Sequence, residues 1–455
     1  MNRNQKKKIK GAQIFTALFL ALCLLPGLGM LIFGESEAGA NEVLANAPKL
    51  KNRDGSFNTE VLSDLSDYMG DRFFLRQEAI TGWNALNTKL LKDSPAQNVI
   101  PGRNGWLYYA DTLPDYSRSA PLTEREIYSA SRILALLQEY AESRDCRFVF
   151  TLCPNKNSLY DENMPAYPRL EGASNAERFG AALTEQGVNY LDLFAVFNAE
   201  QETLYFATDS HWNARGAALG ADAMLEAVGK EGGWFHGGFT EGKRHKGDLY
   251  DMLYPAGNKT EADQKSLQPL TYTYESAYRA PTDITIQTAN AAESGSLLMF
   301  RDSFGNNSFP YLAQRFGAAL FSRSSSYDLS RIDDCAADTV ICELVERNIS
   351  YLWRYLPVFP APRREIDTEA SAGAALSANL KKSNLEGHAL VTGELTMDNA
   401  AVYLTDGSSV WEAMPTPTGF AAHLPLGAEG NLSALQLVYI HNGIVTRSEL
   451  QVNNG

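Results

Sequence analysis

Cysteine is scarce, with five in 455 residues, and one of them, Cys23, lies inside an apolar run. Cys146, Cys153, Cys335 and Cys342 are too few for a disulfide scaffold and lack the C-x-x-C spacing of a zinc site, so they read as buried thiols. Cys146 and Cys153 fall on opposite faces if "CRFVFTLC" is one strand, which excludes a bond between them. An excess of basic charge is also missing. The formal net charge of −14 excludes a sequence-independent nucleic-acid binder, and no nucleic-acid partner is expected. There is no internal repeat and no long low-complexity tract. What remains, 44% hydrophobic and 21% charged residues over a chain longer than one core usually holds, is a globular protein of two or three domains.

Long apolar runs are limited to the N-terminus. A basic cluster (Arg3, Lys6, Lys7, Lys8, Lys10) precedes about twenty uncharged apolar residues, enough to span a bilayer. We read residues 1–12 as a cytoplasmic tail and 13–33 as a retained transmembrane anchor, with everything after about residue 36 outside the cytoplasm. A cleaved signal peptide is the alternative, since "ESEAGA" supplies small residues beyond the run. Cys23 is then a lipid-facing or packed side chain.

Apolar residues at helical spacing predict a helical lead-in over 36–97, and "NVIPGRNGWLYYAD" predicts a hairpin. From about residue 122 helices and strands alternate. Thr123 and Glu126 form a capping box, and the helix behind them runs into the nearly all-apolar "CRFVFTLCP". Strands in "VNYLDL", "SLLMF", "AALFS" and "TVICEL" alternate with helices in "NAERFGAALTEQG", "NARGAALGADAMLEAVG" and after "NNSFPYLAQRFG". This is an α/β fold, a parallel sheet with helices on both faces, whose site belongs at the carboxyl ends of strands. The domain spans 98–357 with an insertion at 231–295. A Pro-rich then Ala/Ser-rich linker covers 358–385, and short strands over 386–455 predict a small β-sandwich.

The stretch "TDSHWNARGA" holds Asp209 and His211 two residues apart at the mouth of a helix. A nucleophilic serine needs a base, and the base needs a carboxylate to fix its tautomer. "LLMFRDSFGNNSFP" offers the serine, Ser303, in a turn between an apolar strand and a helix, where backbone amides can face an oxyanion. His211 is the candidate base and Asp209 the orienting acid. Asn306 and Asn157 are candidate oxyanion donors. Lys156 and Tyr160 on "PNKNSLY", with Arg301 and Trp212 beside the triad residues, are candidate substrate contacts.

The segments "PGRNGWLYY", "CPNKNSLY", "TDSHWNARGA", "RDSFGNNS" and "CELVERN" occur in the order seen in the DHHW family of SGNH-like proteins, which includes the alginate O-acetyltransferases AlgJ and AlgX. This chain resembles that family over most of residues 40–355. The resemblance implies an SGNH-hydrolase-like (flavodoxin-like) sheet and an extracytoplasmic domain in which Ser303, His211 and Asp209 move an acetyl group onto a polysaccharide hydroxyl. It also implies a multipass membrane O-acyltransferase partner that delivers the acetyl group, and neither a cofactor nor a metal is expected. A carbohydrate acetyl-esterase and a non-catalytic polysaccharide-binding scaffold are the alternatives. In the latter, Trp411 and Tyr403 would form an exposed sugar platform.

Other residues have plainer readings. His236 and His245 read as solvated loop side chains, and His388, His423 and His441 as chemically silent. Arg301 and Asp302 suit a local ion pair, as do Arg347 and its neighbours Glu343 and Glu346.

Overall fold

The computed structural model describes residues 3–39, 42–90, 96–366, 370–397, 399–426 and 432–454. An N-terminal helix, Arg3–Phe33, contains one stretch, Lys10–Phe33, long and apolar enough to cross a membrane. Cys23 is exposed on it. Its last turns meet the lead-in, where Phe33 stacks on Phe74 and the Phe74 amide donates to Pro26 O. The lead-in is helical only over Val61–Arg72 and Arg76–Leu90. The described residues between 36 and 60 form no helix, and the remainder of the expected boundary, 91–95, lies outside the described residues.

The "NVIPGRNGWLYYAD" hairpin pairs β1 (Val99–Pro101) with β2 (Leu107–Tyr109), antiparallel. The turn uses Asn104 and Gly105, both at positive φ, which suits an Asn-Gly pair. The helix Glu124–Ser143 starts at the Thr123 capping box and buries Ile127, Ile133, Leu134 and Leu137 against the main sheet.

That sheet has seven strands. They are β3 (Arg147–Cys153), β4 (Tyr190–Leu191), β7 (Thr273–Tyr274), β8 (Thr285–Ala289), β9 (Ser296–Phe300), β10 (Ala318–Ser322) and β11 (Thr339–Val345). A separate ribbon pairs β5 (Phe239–Glu241) with β6 (Gln264–Ser266). The order β4-β3-β11-β9-β10 is parallel throughout, and β8 and β7 extend it antiparallel. All of β11 and all of β3 but Arg147 are buried, so the central strands bury both faces, as their near-continuous apolar runs require. Part of the expected insertion, 231–295, is therefore structural, because its last strands complete the sheet edge. Cys146, Cys153 and Cys342 are buried free thiols, whereas Cys335 is only half-buried.

The C-terminal strands begin earlier than expected. β12 (Ser371–Ala372) and β13 (Leu376–Lys382) fall inside 358–385, which corrects the reading of that stretch as a linker. The composition hid them, since "LSANLKK" has no β-branched residue. They join β14 (His388–Glu394), β15 (Ala401–Thr405), β16 (Val410–Glu412), β17 (Met414–Thr416), β18 (Gly419–Pro425), β19 (Gln436–His441) and β20 (Ile444–Asn454) in one continuous, barrel-like sheet. Its two ends, β16 and β17, are consecutive in the chain and joined by Ala413, whose amide donates to Val402 O. Trp411 is buried at 1% exposure and Tyr403 is half-buried, so neither stands out as a sugar platform. Arg125, buried on the helix Glu124–Ser143, donates to the carbonyls of Thr416, Ala400 and Gly419 and seats the barrel on the α/β domain.

Candidate active site

The Asp209–Trp212 loop does not follow a strand. It links the helix Leu193–Asn198 to the helix Ala214–Ala227, whose N-cap is Asn213, accepting from the amides of Arg215 and Gly216. Trp212 anchors it from beneath. The indole is fully buried, stacks on Phe197 and donates Nε1–H to Phe304 O at 3.1 Å, which ties this loop to the one carrying Ser303. Gly216 permits the packing, because a Cβ there would lie 2.3 Å from Leu204 O.

Ser303 follows β9 and stands just before the helix Gly305–Ala313. The Asp302 carboxylate shapes the turn, accepting from the amides of Phe304 (2.9 Å) and Val345 (2.8 Å). Gly305 faces the wall beneath, where a Cβ would come within 2.6 Å of Arg301 Cβ and 2.7 Å of Glu343 Oε2. Glu343 itself is fully buried, receives the Asp302 amide and the Cys153 thiol, and burial raises its pKa well above the usual carboxylate range.

Three side chains named from the sequence form one hydrogen-bonded line. Ser303 Oγ lies 2.9 Å from His211 Nε2, and His211 Nδ1 lies 2.7 Å from Asp209 Oδ1. An ionised carboxylate can only accept, so Nδ1 carries the ring proton and Nε2 is left to accept from the serine hydroxyl. Asp209 Oδ1 also accepts the His211 amide, which fixes the ring against its own backbone.

The fourth member was not anticipated. His245, read from the sequence as a solvated loop residue, donates Nε2–H to Asp209 Oδ2 at 2.7 Å and stacks on Phe206. The Asp248 amide donates to the same oxygen at 2.9 Å. Burial alone would raise the Asp209 pKa. The bonds from His211 and His245 overcome it and hold the carboxyl well below its ordinary value. Burial also opposes protonation of His245, yet the bond and charge of Asp209 raise its pKa. Asp248 goes the other way. Burial first and the charge of Asp209 second push it up, while Ser210 donates to it through both its amide and its hydroxyl. Ligand atoms of Asp209, His211 and Asp248 converge within 4.8 Å, but the Asp209 oxygens are filled by N–H donors, the pattern of a carboxylate that orients imidazoles.

The remaining candidates divide. Arg301 and Asn306 line the cleft around Ser303, which has a volume of about 930 Å³. Arg301 is buried, with its pKa lowered to about 10 by burial, and donates to Asn306 Oδ1 and to the carbonyls of Pro281 and Asp283. A guanidinium only donates, so it turns the Asn306 amide with Oδ1 inward and leaves Nδ2 as a donor for the cleft. The expected ion pair of Arg301 with Asp302 is not formed. Nor does Arg347 pair with Glu343 or Glu346. Its guanidinium lies over Tyr109 and Phe304 and reaches Asn155 Oδ1.

Asn157, Lys156, Tyr160 and Trp212 are not among the residues that line the Ser303 cleft. Asn157 is buried and donates to Thr112 Oγ1. Lys156 is fully buried beneath the Asp209 loop, its Nζ donating to the carbonyls of Phe206, Ala207 and Asp209, and burial lowers its pKa to about 7. Tyr160 turns inward, packs against Trp106 and Tyr205, and accepts the Leu204 amide. The sequence reads Asn157 as an oxyanion donor and Lys156 and Tyr160 as substrate contacts, because their loop is polar. Converging backbone groups draw them inside instead.

Residues 99–309 match the family model described as SGNH hydrolase-like domain, acetyltransferase AlgX. Over 225 residues the chain is 24% identical to a probable alginate O-acetylase AlgJ of Pseudomonas syringae pv. tomato, covering 48% of this chain and 52% of that protein. The chain thus spans about half the length of the curated relatives it matches. Among solved structures, Bacillus cereus PatB1 with a sulfonyl adduct is 17% identical at a TM-score of 0.44, over 55% of this chain and 95% of that one. The O-acetyltransferase domain of Pseudomonas putida AlgJ is 16% identical at 0.39, over 55% and 92%. The central domain is thus similar to the SGNH hydrolase-like domain of AlgX and to the AlgJ acetylases.

Proposed function

We propose that this protein is a membrane-anchored O-acetyltransferase that works outside the cytoplasm and moves acetyl groups onto a cell-envelope or exported polysaccharide through an acetyl-Ser303 intermediate. The observation that carries the reading is the line Ser303 Oγ, His211 Nε2, His211 Nδ1, Asp209 Oδ1, with gaps of 2.9 and 2.7 Å.

Ser303 Oγ attacks the acetyl carbonyl as its proton passes to His211 Nε2. Asp209 stabilises the imidazolium, and His211 then hands that proton to the departing donor group. A sugar hydroxyl attacks the acetyl-serine, His211 takes the hydroxyl proton, and collapse frees Ser303 with that proton restored to it. Oxyanion donors are at hand. The Ser303 amide bonds no other group among the described residues, and Asn306, whose Oδ1 is taken by Arg301, lines the same cleft.

The N-terminal helix would hold the domain against the membrane, and the acetyl donor would be a multipass membrane O-acyltransferase. A binding-only role has less support, since its proposed platform residue Trp411 is buried.

The test is p-nitrophenol release from p-nitrophenyl acetate by the full chain in detergent, with intact-mass detection of an acetyl adduct, beside Ser303→Ala. Turnover or an adduct in the wild type and neither in the variant supports the reading. Equal behaviour of the two overturns it. Adding glycans separates transfer to sugar from hydrolysis by water.

A further inference from the structure

Three spaces on the carboxyl side of the sheet share walls. The cleft around Ser303 is bounded by Asp111, Arg347 and Ser350. These three also line a small pocket of about 160 Å³ whose walls include Asp115 and Glu346. Asp115 and Glu346 in turn line an outer pocket of about 620 Å³. The turn Glu346–Asn348 at the end of β11 explains the arrangement, since consecutive side chains diverge, Arg347 toward Ser303 and Glu346 toward the outer pocket.

Glu346 is the informative group. It is only 4% exposed, and its Oε2 accepts from the Asn155 amide (2.8 Å) and the Ser158 hydroxyl (2.6 Å). Among the described residues nothing bonds its Oε1. Burial raises the pKa of this carboxyl to about 7, so near neutrality it can both give and take a hydrogen bond. Oε1 is not among the buried atoms that lack a partner, so water or a ligand in the adjoining space can reach it. The walls add aromatic surface from Tyr116, Tyr190 and Phe194, and they mix both signs of charge, with Arg118 and Arg169 set against carboxylates. Aromatic faces with a carboxyl fit an uncharged sugar ring better than an ion.

We propose that the outer pocket is a second subsite for the acceptor polymer, in which Glu346 Oε1 bonds a hydroxyl of an uncharged sugar unit while another unit of the same chain lies at Ser303. This rests on the polysaccharide acceptor proposed above. The acceptor is therefore read over several sugars.

The experiment uses the full chain in detergent, p-nitrophenyl acetate as donor, and cello- and chitooligosaccharides of two to six sugars as acceptors. Acetylated products are counted by mass spectrometry. In the wild type transfer rises with acceptor length. In Glu346→Gln, which keeps the shape, and in Tyr116→Ala, the ratio of long- to short-acceptor transfer falls about tenfold, the loss of about one hydrogen bond or stacking contact. Variants that keep the wild-type ratio overturn the subsite, as does Ser303-dependent p-nitrophenol release without transfer to any acceptor. Absence of Ser303-dependent release in the wild type removes the acyl-serine reading itself, and the subsite with it.

Discussion

His245 Nε2 meets Asp209 Oδ2 at 2.7 Å, and His211 Nδ1 meets Oδ1 at the same distance, so one buried carboxylate carries two imidazoles. Only one of them reaches Ser303. The second holds the carboxylate that orients the first.

Replacing His245 by Gln should lower kcat toward p-nitrophenyl acetate about 10- to 100-fold, the range of one charge-assisted hydrogen bond. Stability carries a pH signature. The folded-state pKa of His245 is raised, because the Asp209 bond and charge outweigh burial. Its contribution is therefore complete below the unfolded value of about 6.5 and is lost as pH rises through the folded value. Urea unfolding should show a larger gap between wild type and variant at acid than at alkaline pH. A pH-independent gap would remove the linkage.

Asp209→Asn should cost about 10³- to 10⁴-fold in kcat with the fold retained, as expected when a base loses its orienting acid. Asp209 has the opposite linkage to His245. Its pKa is held well below the ordinary value by the two histidines against burial, so its contribution is present above about 3.8 and fades only as pH falls through the folded value. Acid titration of unfolding on wild type and variant should converge only in strong acid.

Glu343→Gln should be mild. The carboxyl is fully buried, and burial, with the Asp302 charge, raises its pKa and so favours the neutral form, which Gln imitates. Because the folded value is raised, the wild type loses stability as pH climbs above about 4.3, and the variant should not. Thermal melts from pH 4 to pH 8 read the difference. A variant that melts lower than wild type throughout would contradict a neutral Glu343.

Lys156→Met should destabilise by about 2–4 kcal/mol and slow turnover, since the carbonyls of Phe206, Ala207 and Asp209 lose their shared donor. If Lys156 met substrate instead, KM would rise with stability unchanged. Chemical denaturation and steady-state kinetics on the same sample separate the two.

The sequence carried those parts of the site that depend on local pattern. Asp209 and His211 lie on one short loop, and Ser303 sits on a strand-turn-helix unit, both legible as spacing. His245 was not, because it reaches Asp209 only when the insertion folds back, aided by Glu261, which accepts the Ala207 and Thr208 amides. No short-range pattern encodes that return. Lys156 and Tyr160 misled for the opposite reason, being polar side chains on a polar segment that face inward toward backbone groups from distant parts of the chain. The parallel strands were plain from their apolar runs. β8 and β7 read as an excursion, since the edge position that gives them a place is a property of the finished sheet.

The barrel-like sheet has a consequence beyond its own stability. The strands at its two ends, β16 and β17, follow one another in the chain, and the α/β sheet ends on the two-residue strands β4 and β7, so the terminal strand of each sheet is short. Copies crowded side by side on a surface would find only short strands to extend at these sheet ends, and sheet-to-sheet fusion into aggregates is disfavoured. Association with other proteins must then be written in side chains, where single substitutions can retune it.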